Sequence, residues 1–477
     1  MKKILFVTSE THPLIKTGGL ADVSGSLPKS LVDFGEDVRI IMPYYQAIKT
    51  NEAIYYKSTI RTNGAEINIL ETRLPGTEVK VWLVDYPQFF KLPGNPYHDE
   101  AGNPWSNSAE RFGLFCHTVV EIAMNRGYLD WIPDIVHCND WQSGLIPALL
   151  SLETGRPRTL FTIHNLAYQG LFPISANFTL NLPDQLWDSG GTEFHGKLSF
   201  LKSGLTYADR INTVSPTYAL EIQTPEFGCG LDGLLSYRKD DLSGILNGID
   251  TDHWNPATDT HIATNFTPTT LNKKAPNKSA LQTKFSLPVN NKVPVFGLIS
   301  RLVEQKGIDL ILECLPEILT LPLQLVIIGS GNKEFEQQLS DFAKGIPDKM
   351  AVKIGYDEEL SHLIEAGADI FLMPSRYEPC GLNQMYSQLY GTVPLVSKVG
   401  GLADTVVDAL PESISNSTAT GIVFDETLSG TLFEVIKRAL MLYSQPKAWK
   451  QIQINGMLKD FSWKHSAEQY RALYELL

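Results

Sequence analysis

The sequence predicts an α/β protein of two doubly wound domains that face each other across a cleft. Short apolar runs typical of buried parallel strands alternate with amphipathic helical segments from the first residues onward, and the alternation restarts at Pro294. The stretch 255–277 between the two series is rich in Thr, Asn and Pro and is expected to form inter-domain surface. We therefore predict an N-terminal domain over 1–245, a C-terminal domain over 246–462, and a final helix, about 463–477, that packs back on the first domain.

Composition excludes several classes of protein. With 477 residues, of which 43% are hydrophobic, the chain has material for two or three packed cores, which argues against a disordered chain. The net charge of −13 argues against nucleic acid or an acidic membrane as the main partner, and no apolar run approaches the ~20 residues of a membrane span. The five cysteines include no C-x-x-C pair, so we expect neither a metal site nor a disulfide frame, and we predict a cytoplasmic protein.

The first predicted strand, Ile4–Val7, leads into a glycine-rich loop and then into a helix that runs through Leu31. The loop lacks the G-x-G-x-x-G pattern, which argues against a nicotinamide dinucleotide. Its pentad Gly-Gly-Leu-Ala-Asp, at 18–22, recurs at 400–404, each time between a predicted strand and a predicted helix. We interpret the two copies as solutions to the same backbone problem, a close approach to a ligand or to a neighbouring segment.

A carboxylate in the second half of the chain lies where open α/β sheets bind ligands. The apolar run Ile370–Met373 predicts a buried strand, Glu378 lies in the loop after it, and a helix is predicted over 383–389. The backbone amides of residues 381–383, at the N-terminus of that helix, are suited to a phosphate group. A polar loop that only caps the helix is the alternative.

Two cations accompany this carboxylate. Arg301 and Lys306 lie five residues apart in another predicted strand-to-helix loop. Paired cations that face free amides stabilise the negative charge that develops on a diphosphate leaving group, and Tyr356 is available to stack on a base. Solvated surface charges are the alternative for this loop taken alone.

The first half offers a different chemical set near the ends of its predicted strands: Glu10, Tyr97, Asp140, Trp141, His164 and Asn165. Carboxylates, amides and aromatic rings bind the hydroxyls and cover the apolar face of a polyhydroxylated ring. For His164 the alternative is a core histidine bonded to the backbone. The sequence contains no convincing His pair with Ser or Cys for acyl transfer, no Walker loop and no D-x-D metal cluster.

Seven motifs in register resemble those of bacterial glycogen synthases and plant starch synthases, and the resemblance spans nearly the whole chain. It implies the GT-B fold, with two Rossmann-like domains. It also implies transfer of glucose from ADP-glucose to the non-reducing end of an α-1,4-glucan such as glycogen, with retention at the anomeric carbon and without a cofactor. The motifs are Lys16–Leu20, Asp140-Trp141, Thr162–Asn165, Asn212–Pro216, Asn247–Asp250, Ser300-Arg301 with Gln305–Gly307, and Ser375–Leu382.

The resemblance also implies roles for individual residues. Arg301 and Lys306 would hold the donor phosphates, and Glu378 would contact the donor glucose at the reacting centre. His164 would face the anomeric carbon mainly through its backbone carbonyl, while Asn247 would bind the donor glucose. The implied catalytic set is Glu378, Arg301, Lys306, His164 and Lys16. Together with the loop residues considered above, the predicted substrate-binding set is Gly18, Gly19, Asp22, Asp140, Asn165, Asn247, Tyr356, Cys380, Gly381, Leu382 and Asn383, and the acceptor-side set is Glu10, Tyr97 and Trp141.

The chain departs from the family pattern in two of these loops. The family commonly has His-x-His-Asp-Trp-His where residues 137–142 read His-Cys-Asn-Asp-Trp-Gln, and Asn383 stands in place of the usual Thr. Asn139 and Gln142 are expected to affect acceptor preference or efficiency, and Asn383 the donor contacts. Two alternatives therefore stay open: a retaining GT-B enzyme with another donor or a small acceptor, and a catalytically inactive glucan-binding homologue.

Overall fold

The computed structural model describes residues 1–425 and 427–477, which divide into two compact units. The first unit contains Met1–Gly248 together with Trp463–Leu477, and the second contains Ile249–Ser462. Each unit has its own main sheet, parallel apart from one edge in the first unit, with helices between most successive parallel strands, so the predicted α/β class is confirmed. The division falls just beyond the predicted limit at 245, and the terminal helix belongs to the first unit.

The strands are short and mostly buried, as parallel strands covered by helices require. In chain order they are β1 (Lys3–Val7), β2 (Asp37–Pro43), β3 (Tyr55–Thr62), β4 (Ala65–Arg73), β5 (Lys80–Asp85), β6 (Ile135–Asn139), β7 (Arg158–Ile163), β8 (Leu171–Pro173), β9 (Glu193–Phe194), β10 (Lys197–Ser199), β11 (Arg210–Thr213), β12 (Leu242–Gly244), β13 (Val295–Ile299), β14 (Gln324–Gly329), β15 (Met350–Ile354), β16 (Ile370–Met373), β17 (Val393–Ser397) and β18 (Ile422–Phe424).

The helices connect these strands and cover the sheets. In chain order they are α1 (Gly19–Asp33), α2 (Pro87–Phe90), α3 (Ser108–Ala123), α4 (Leu145–Leu150), α5 (Ser175–Thr179), α6 (Asp184–Asp188), α7 (Phe200–Tyr207), α8 (Pro216–Glu221), α9 (Asp232–Tyr237), α10 (Ala275–Lys284), α11 (Ile308–Ile318), α12 (Lys333–Gly345), α13 (Glu358–Gly367), α14 (Asn383–Leu389), α15 (Gly400–Thr405), α16 (Pro411–Ser415), α17 (Ser429–Tyr443), α18 (Pro446–Met457) and α19 (Trp463–Glu475). Short 3₁₀ turns occur at Trp141–Ser143, Pro268–Lys274 and Glu304–Lys306.

The second unit has a doubly wound sheet with the strand order β15-β14-β13-β16-β17-β18. Its first strand, β13, lies in the middle, and the chain winds outward in one direction through β14 and β15 and then in the other from β16. The strand order therefore reverses between β13 and β16. In such sheets the loops that leave the carboxyl ends at the reversal point diverge and leave room for a ligand.

The large sheet of the first unit repeats this arrangement and adds an antiparallel edge. Its order is β12-β11-β7-β6-β1-β2-β5-β4-β3, and the reversal lies between β1 and β6. The β3–β4 hairpin, which the sequence analysis did not predict, pairs antiparallel with β5 at the edge. A separate small sheet has the order β8-β10-β9.

Several predicted segments differ from the structure. Residues Cys138 and Asn139 belong to β6 instead of the loop after it, because they pair with β7 in register. The stretch 255–277, expected to be inter-domain surface, lies inside the second unit, where Phe266 and Asn277 are buried. No helix within 1–425 or 427–477 is long and apolar enough to cross a membrane.

The terminal helix α19 is bound to the sheet of the first unit through two buried tyrosines. The Tyr470 hydroxyl accepts a hydrogen bond from the Asn212 side-chain amide at 2.9 Å, and the Tyr474 hydroxyl lies 2.8 Å from His137 Nδ1. The imidazole of His137 is fully buried, and its Nε2 contacts the Thr162 hydroxyl at 2.8 Å. Burial lowers the pKa of His137 to about 3, so the ring is neutral and depends on these two partners.

We expect Tyr474→Phe to lower the free energy of unfolding by about 1–3 kcal/mol, because it removes one partner of a buried imidazole nitrogen. The matched control is Tyr237→Phe, whose ring is 87% exposed and whose loss of a hydroxyl is expected to change stability by less than about 0.5 kcal/mol. Urea denaturation followed by circular dichroism measures both. Equal stability of the two variants would contradict the role assigned to the Tyr474 hydroxyl.

Candidate active site

The predicted site residues of the second unit lie at the reversal point of its sheet. Arg301 and Lys306 follow β13, and Glu378 follows the adjacent strand β16. The Lys306 ammonium forms a short ion pair with the Glu378 carboxylate, which also accepts a hydrogen bond from the Ser375 hydroxyl at 3.0 Å. The structure thus brings two of the predicted catalytic residues into contact.

Backbone contacts hold the two loops against each other. The Arg376 amide donates to the Gln305 carbonyl at 2.9 Å, so the segment before Glu378 is bound to the segment that carries Lys306. Gly307 has a φ of 68°, and a Cβ atom there would collide with the carbonyl of Pro374. Only glycine combines this backbone conformation with so close an approach.

The second glycine pentad packs behind Glu378. The Gly401 amide donates to the Glu378 carbonyl at 3.2 Å. Gly400 has a φ of 42°, and a Cβ atom at this position would collide with the same carbonyl. This copy of the pentad therefore approaches a neighbouring loop, as one of the two interpretations predicted.

The loop after Glu378 offers backbone donors next to the ion pair. The amide N–H groups of Gly381 and Leu382 donate to no acceptor within the described residues. Asn383 begins α14, and its side-chain amide donates to the Ile299 carbonyl at the end of β13, at 2.8 Å. The side chain that replaces the usual Thr is thus used to fasten α14 to β13.

The remaining predicted donor residues of this unit differ in exposure. Arg301 is exposed, and its guanidinium donates to the Gln305 side chain at 3.0 Å. The Tyr356 ring is 66% exposed, which leaves area for a stacked base, whereas Cys380 is buried in the loop.

Asp140 is the centre of the predicted set in the first unit. It follows β6 directly, at the reversal point, with a φ of 55°. Its Oδ1 accepts hydrogen bonds from the amide of His164, at 2.7 Å, and more weakly from that of Asn165, at 3.4 Å. Burial raises the pKa of Asp140 to about 7 even though these two amides lower it.

Glu10 is a second buried carboxylate, in the loop after β1. It is 2% exposed, and its Oε2 accepts hydrogen bonds from the Thr17 amide, at 2.7 Å, and from the Thr17 hydroxyl. Burial raises its pKa to about 7. In the adjacent loop the Tyr97 hydroxyl lies 2.8 Å from that of Ser9. Two carboxylates that are close to half-protonated near neutral pH therefore lie in loops from adjacent strands.

The glycine-rich loop and Asn247 complete the predicted donor side of this unit. Lys16 Nζ forms an ion pair with Asp22 Oδ1 at 2.7 Å, so these two residues contact each other across Gly18 and Gly19. Asn247 is 8% exposed, and its Oδ1 has no hydrogen-bond partner in the described part of the chain. A buried amide oxygen without a partner is costly and is expected to meet a ligand or water.

His164 is held from behind by Asn139. The His164 Nε2 lies 2.9 Å from Asn139 Oδ1, while the Asn139 amide nitrogen donates to the Val7 carbonyl at 3.0 Å. Burial lowers the pKa of His164 to about 3, so the ring is neutral and Nε2 carries the proton that it donates to Asn139.

Asn139 is therefore a positioning residue, which stood out in the sequence only as a departure from the family pattern. A sequence signal for this role did exist, since Asn139 lies two residues after His137 in a strand and so shares its face.

The two residues after Asp140 are partly or fully buried. Gln142 is buried, and its backbone carbonyl contacts the Cys116 thiol. The Trp141 ring packs edge-on against that of Phe112, with ring centroids 5.0 Å apart, and its centroid is 6.2 Å from that of Phe200. Much of the Trp141 ring therefore lies in the core.

Known protein families match both units of the chain. A family model described as the starch synthase catalytic domain matches residues 3–237, and one described as glycosyl transferases group 1 matches residues 280–455. A protein named glycogen synthase 1 from Methylococcus capsulatus is 56% identical over 473 residues, covering 99% of this chain and 96% of that protein. A glycogen synthase from Cellvibrio japonicus is 54% identical, with 99% of each chain covered.

A solved structure of a starch synthase is also similar. It is the catalytic domain of starch synthase IV from Arabidopsis thaliana bound to ADP and acarbose, with a TM-score of 0.89, 31% identity, and 100% of this chain and 99% of that one covered. The predicted GT-B fold of two Rossmann-like domains is confirmed by this match. The chain belongs to the family of bacterial glycogen synthases and starch synthases, which are retaining glucosyltransferases, as its motifs predict.

Proposed function

We propose that this protein transfers glucose from ADP-glucose to the non-reducing end of an α-1,4-glucan, with retention of the anomeric configuration. The observation that carries the proposal is the contact between Lys306 and Glu378 at the reversal point of the second sheet. A cation held there by a carboxylate, beside unpaired amides, is suited to a diphosphate. The relatives named glycogen synthases and the solved starch synthase bound to ADP support the same assignment.

The phosphate side of the reaction is assigned to the second unit. The C1–O bond of the donor breaks with its electron pair passing to the departing phosphate oxygen. Lys306, Arg301 and the amides of Gly381 and Leu382 stabilise the charge that develops on the diphosphate. Glu378 aligns the Lys306 ammonium and offers its second oxygen to a sugar hydroxyl.

The sugar side is assigned to the first unit. Asp140 and Glu10 are placed to accept hydrogen bonds from hydroxyls, and the unpaired Asn247 Oδ1 is suited to a hydroxyl of the donor glucose. The neutral His164 ring donates to Asn139, which fixes the backbone carbonyl that would face the anomeric carbon. The acceptor hydroxyl forms the new bond on the face that the diphosphate leaves, and its proton passes to a phosphate oxygen, so retention needs no enzyme nucleophile.

A matrix of donors and acceptors tests this proposal. Purified protein is incubated with ADP-glucose or UDP-glucose, each with glycogen, glucose or fructose, and both nucleotide release and incorporation of labelled glucose are measured. We expect the highest kcat/KM with ADP-glucose and glycogen. Turnover only with a small acceptor would favour the related retaining enzyme, and glucan binding without nucleotide release would favour an inactive homologue.

We expect Lys306→Ala to lower kcat with ADP-glucose and glycogen by about 100-fold or more, because one charge-stabilising group at a leaving group contributes on the order of 3 kcal/mol to the barrier. The matched control is Lys344→Ala, which removes another ion-paired lysine, 73% exposed, from α12 of the same unit. Its kcat is expected to stay within twofold. The unfolding midpoint of each variant is measured as well, and undiminished turnover in a folded Lys306→Ala protein would contradict the assigned role.

The buried carboxylates predict the pH dependence of the reaction. An ionised carboxylate accepts sugar hydroxyls with both oxygens, and the pKa of both Glu10 and Asp140 is raised to about 7. We therefore expect kcat/KM to rise as pH increases from about 6 to about 8, the interval in which the free enzyme loses these protons.

The variant Glu10→Gln isolates one of the two carboxylates. It keeps an acceptor oxygen for the Thr17 amide but does not titrate, so the rise of log kcat/KM with pH should become less steep than in the parent protein. A flat parent profile over this interval would refute the assignment of ionised carboxylates to sugar binding.

A further inference from the structure

A cluster of ligand atoms in the second unit lies outside every residue assigned to glucosyl transfer. It consists of His253 Nε2, His362 Nε2 and a carboxylate oxygen of Glu358, all within 4.8 Å of one another. The two imidazole nitrogens are 3.3 Å apart, and His253 Nε2 is 3.0 Å from Glu358 Oε1. Three atoms of the kinds that donate lone pairs to metals thus lie close together.

The distance between the two imidazole nitrogens fits a tetrahedral metal ion. Nitrogen ligands that lie 2.0–2.1 Å from zinc at tetrahedral angles are about 3.3–3.4 Å from each other. The observed 3.3 Å between His253 Nε2 and His362 Nε2 agrees with this edge length. Three protein ligands also leave a fourth position for water.

The tautomer of His362 is set by a buried carboxylate. Asp259 Oδ2 lies 2.7 Å from His362 Nδ1 and 2.5 Å from the hydroxyl of Tyr390. With the proton on Nδ1 donated to Asp259, Nε2 presents its lone pair to the cluster. A carboxylate behind a ligating histidine is the usual way in which proteins orient such a ring.

The His362 ring is also fixed by packing. It is fully buried, and the Trp254 ring stacks on it with centroids 3.9 Å apart and planes within 2° of parallel. His253 and Glu358 have side chains that are 41% and 46% exposed, so an ion can enter from solvent. One ligand is therefore rigid before binding, and the other two are accessible.

Hydrogen bonding alone leaves part of the cluster unsatisfied. His253 Nε2 carries at most one proton, and two acceptors, Glu358 Oε1 and His362 Nε2, lie within 3.3 Å of it. If that proton goes to Glu358, the lone pair of His362 faces another nitrogen without a hydrogen between them. A cation would be contacted by all three ligands at once.

We propose that His253, His362 and Glu358 form a binding site for a divalent transition-metal ion of the zinc class. Imidazole ligands favour Zn²⁺, Ni²⁺ or Cu²⁺ over Mg²⁺ and Ca²⁺, which prefer oxygen. The ion would join the loop that carries His253 to the first residue of α13 and so stabilise the second unit. This site is independent of the proposed transfer reaction, and its test does not require activity.

Calorimetric titration of ZnCl₂ into the full chain, freed of metal by chelation, tests the site. All proteins carry Cys229→Ser, because that thiol is exposed and would compete as a ligand. We expect one Zn²⁺ per chain in the parent protein, and affinity lower by about tenfold or more in His253→Ala and in Glu358→Gln. Replacing Zn²⁺ by Co²⁺ should give the visible absorption of a tetrahedral site, and this absorption should be lost in His253→Ala.

The matched control is His261→Ala, since the His261 ring lies 5.0 Å from that of His362 without belonging to the cluster. It should bind Zn²⁺ like the parent. Because His253 and Glu358 are exposed, their variants are expected to fold, and the melting temperature without metal checks this. No saturable Zn²⁺ binding by the parent protein, or equal affinity in folded His253→Ala, would overturn the proposal.

Discussion

The constraint on which the functional architecture depends is the reversal of strand order in a parallel sheet. In each unit the first strand lies beside the fourth parallel strand, so the loops that follow these two strands start side by side at one edge of the sheet. In the second unit this juxtaposition places Lys306 beside Glu378, although 72 residues separate them in the chain. In the first unit it places the loop of Glu10 next to Asp140.

The same topology gives the two units opposite electrostatics at equivalent places. In the second unit the carboxylate is paired with a cation, and the surrounding amides and arginine leave a site suited to an anion. In the first unit two carboxylates are buried and receive hydrogen bonds from amides and hydroxyls, which compensate only part of the cost of burying their charge. The first arrangement favours phosphate and the second favours neutral hydroxyl groups. This division of chemistry is what a nucleotide sugar and a glucan together require.

The sequence predicted the elements that have a strong local pattern of apolar residues and missed those in which this pattern is weak. The uninterrupted apolar run of β16 and the helix after it were predicted at their observed bounds, because a buried strand followed by a helix start leaves few alternatives. The β3–β4 hairpin was missed because Tyr55 and Tyr56 are exposed at an edge, where packing gives a weak pattern. Asn139 was predicted to lie in a loop, because a polar residue next to Asp140 is typical of loops. In the structure its side-chain amide donates to the Val7 carbonyl inside the sheet.

Local sequence patterns did not predict contacts between residues that are far apart in the chain. The sequence predicted only that Lys306 and Glu378 lie in loops at the same edge of the sheet, and it did not predict their contact. The cluster around His362 was not predicted at all, because His253 lies 109 residues away and the two histidines do not have the spacing of a metal-binding motif. The spacing of the cysteines had even predicted that the chain has no metal site, because cysteine patterns say nothing about histidines. Histidines brought together by the fold leave no such trace in the sequence.

The repeated pentad shows why identical residues need separate explanations. At 400 and 401 the chain itself requires glycine, since any side chain would strike the backbone of the Glu378 loop. At 18 it does not: the φ of −156° is extended backbone, and the nearest atom to a Cβ placed there, a Glu10 oxygen, is 3.8 Å away. Neither conformation nor packing within the first unit therefore explains Gly18. We propose that the residue without a side chain between Lys16 and Asp22 leaves space for the donor of the proposed reaction to approach the backbone.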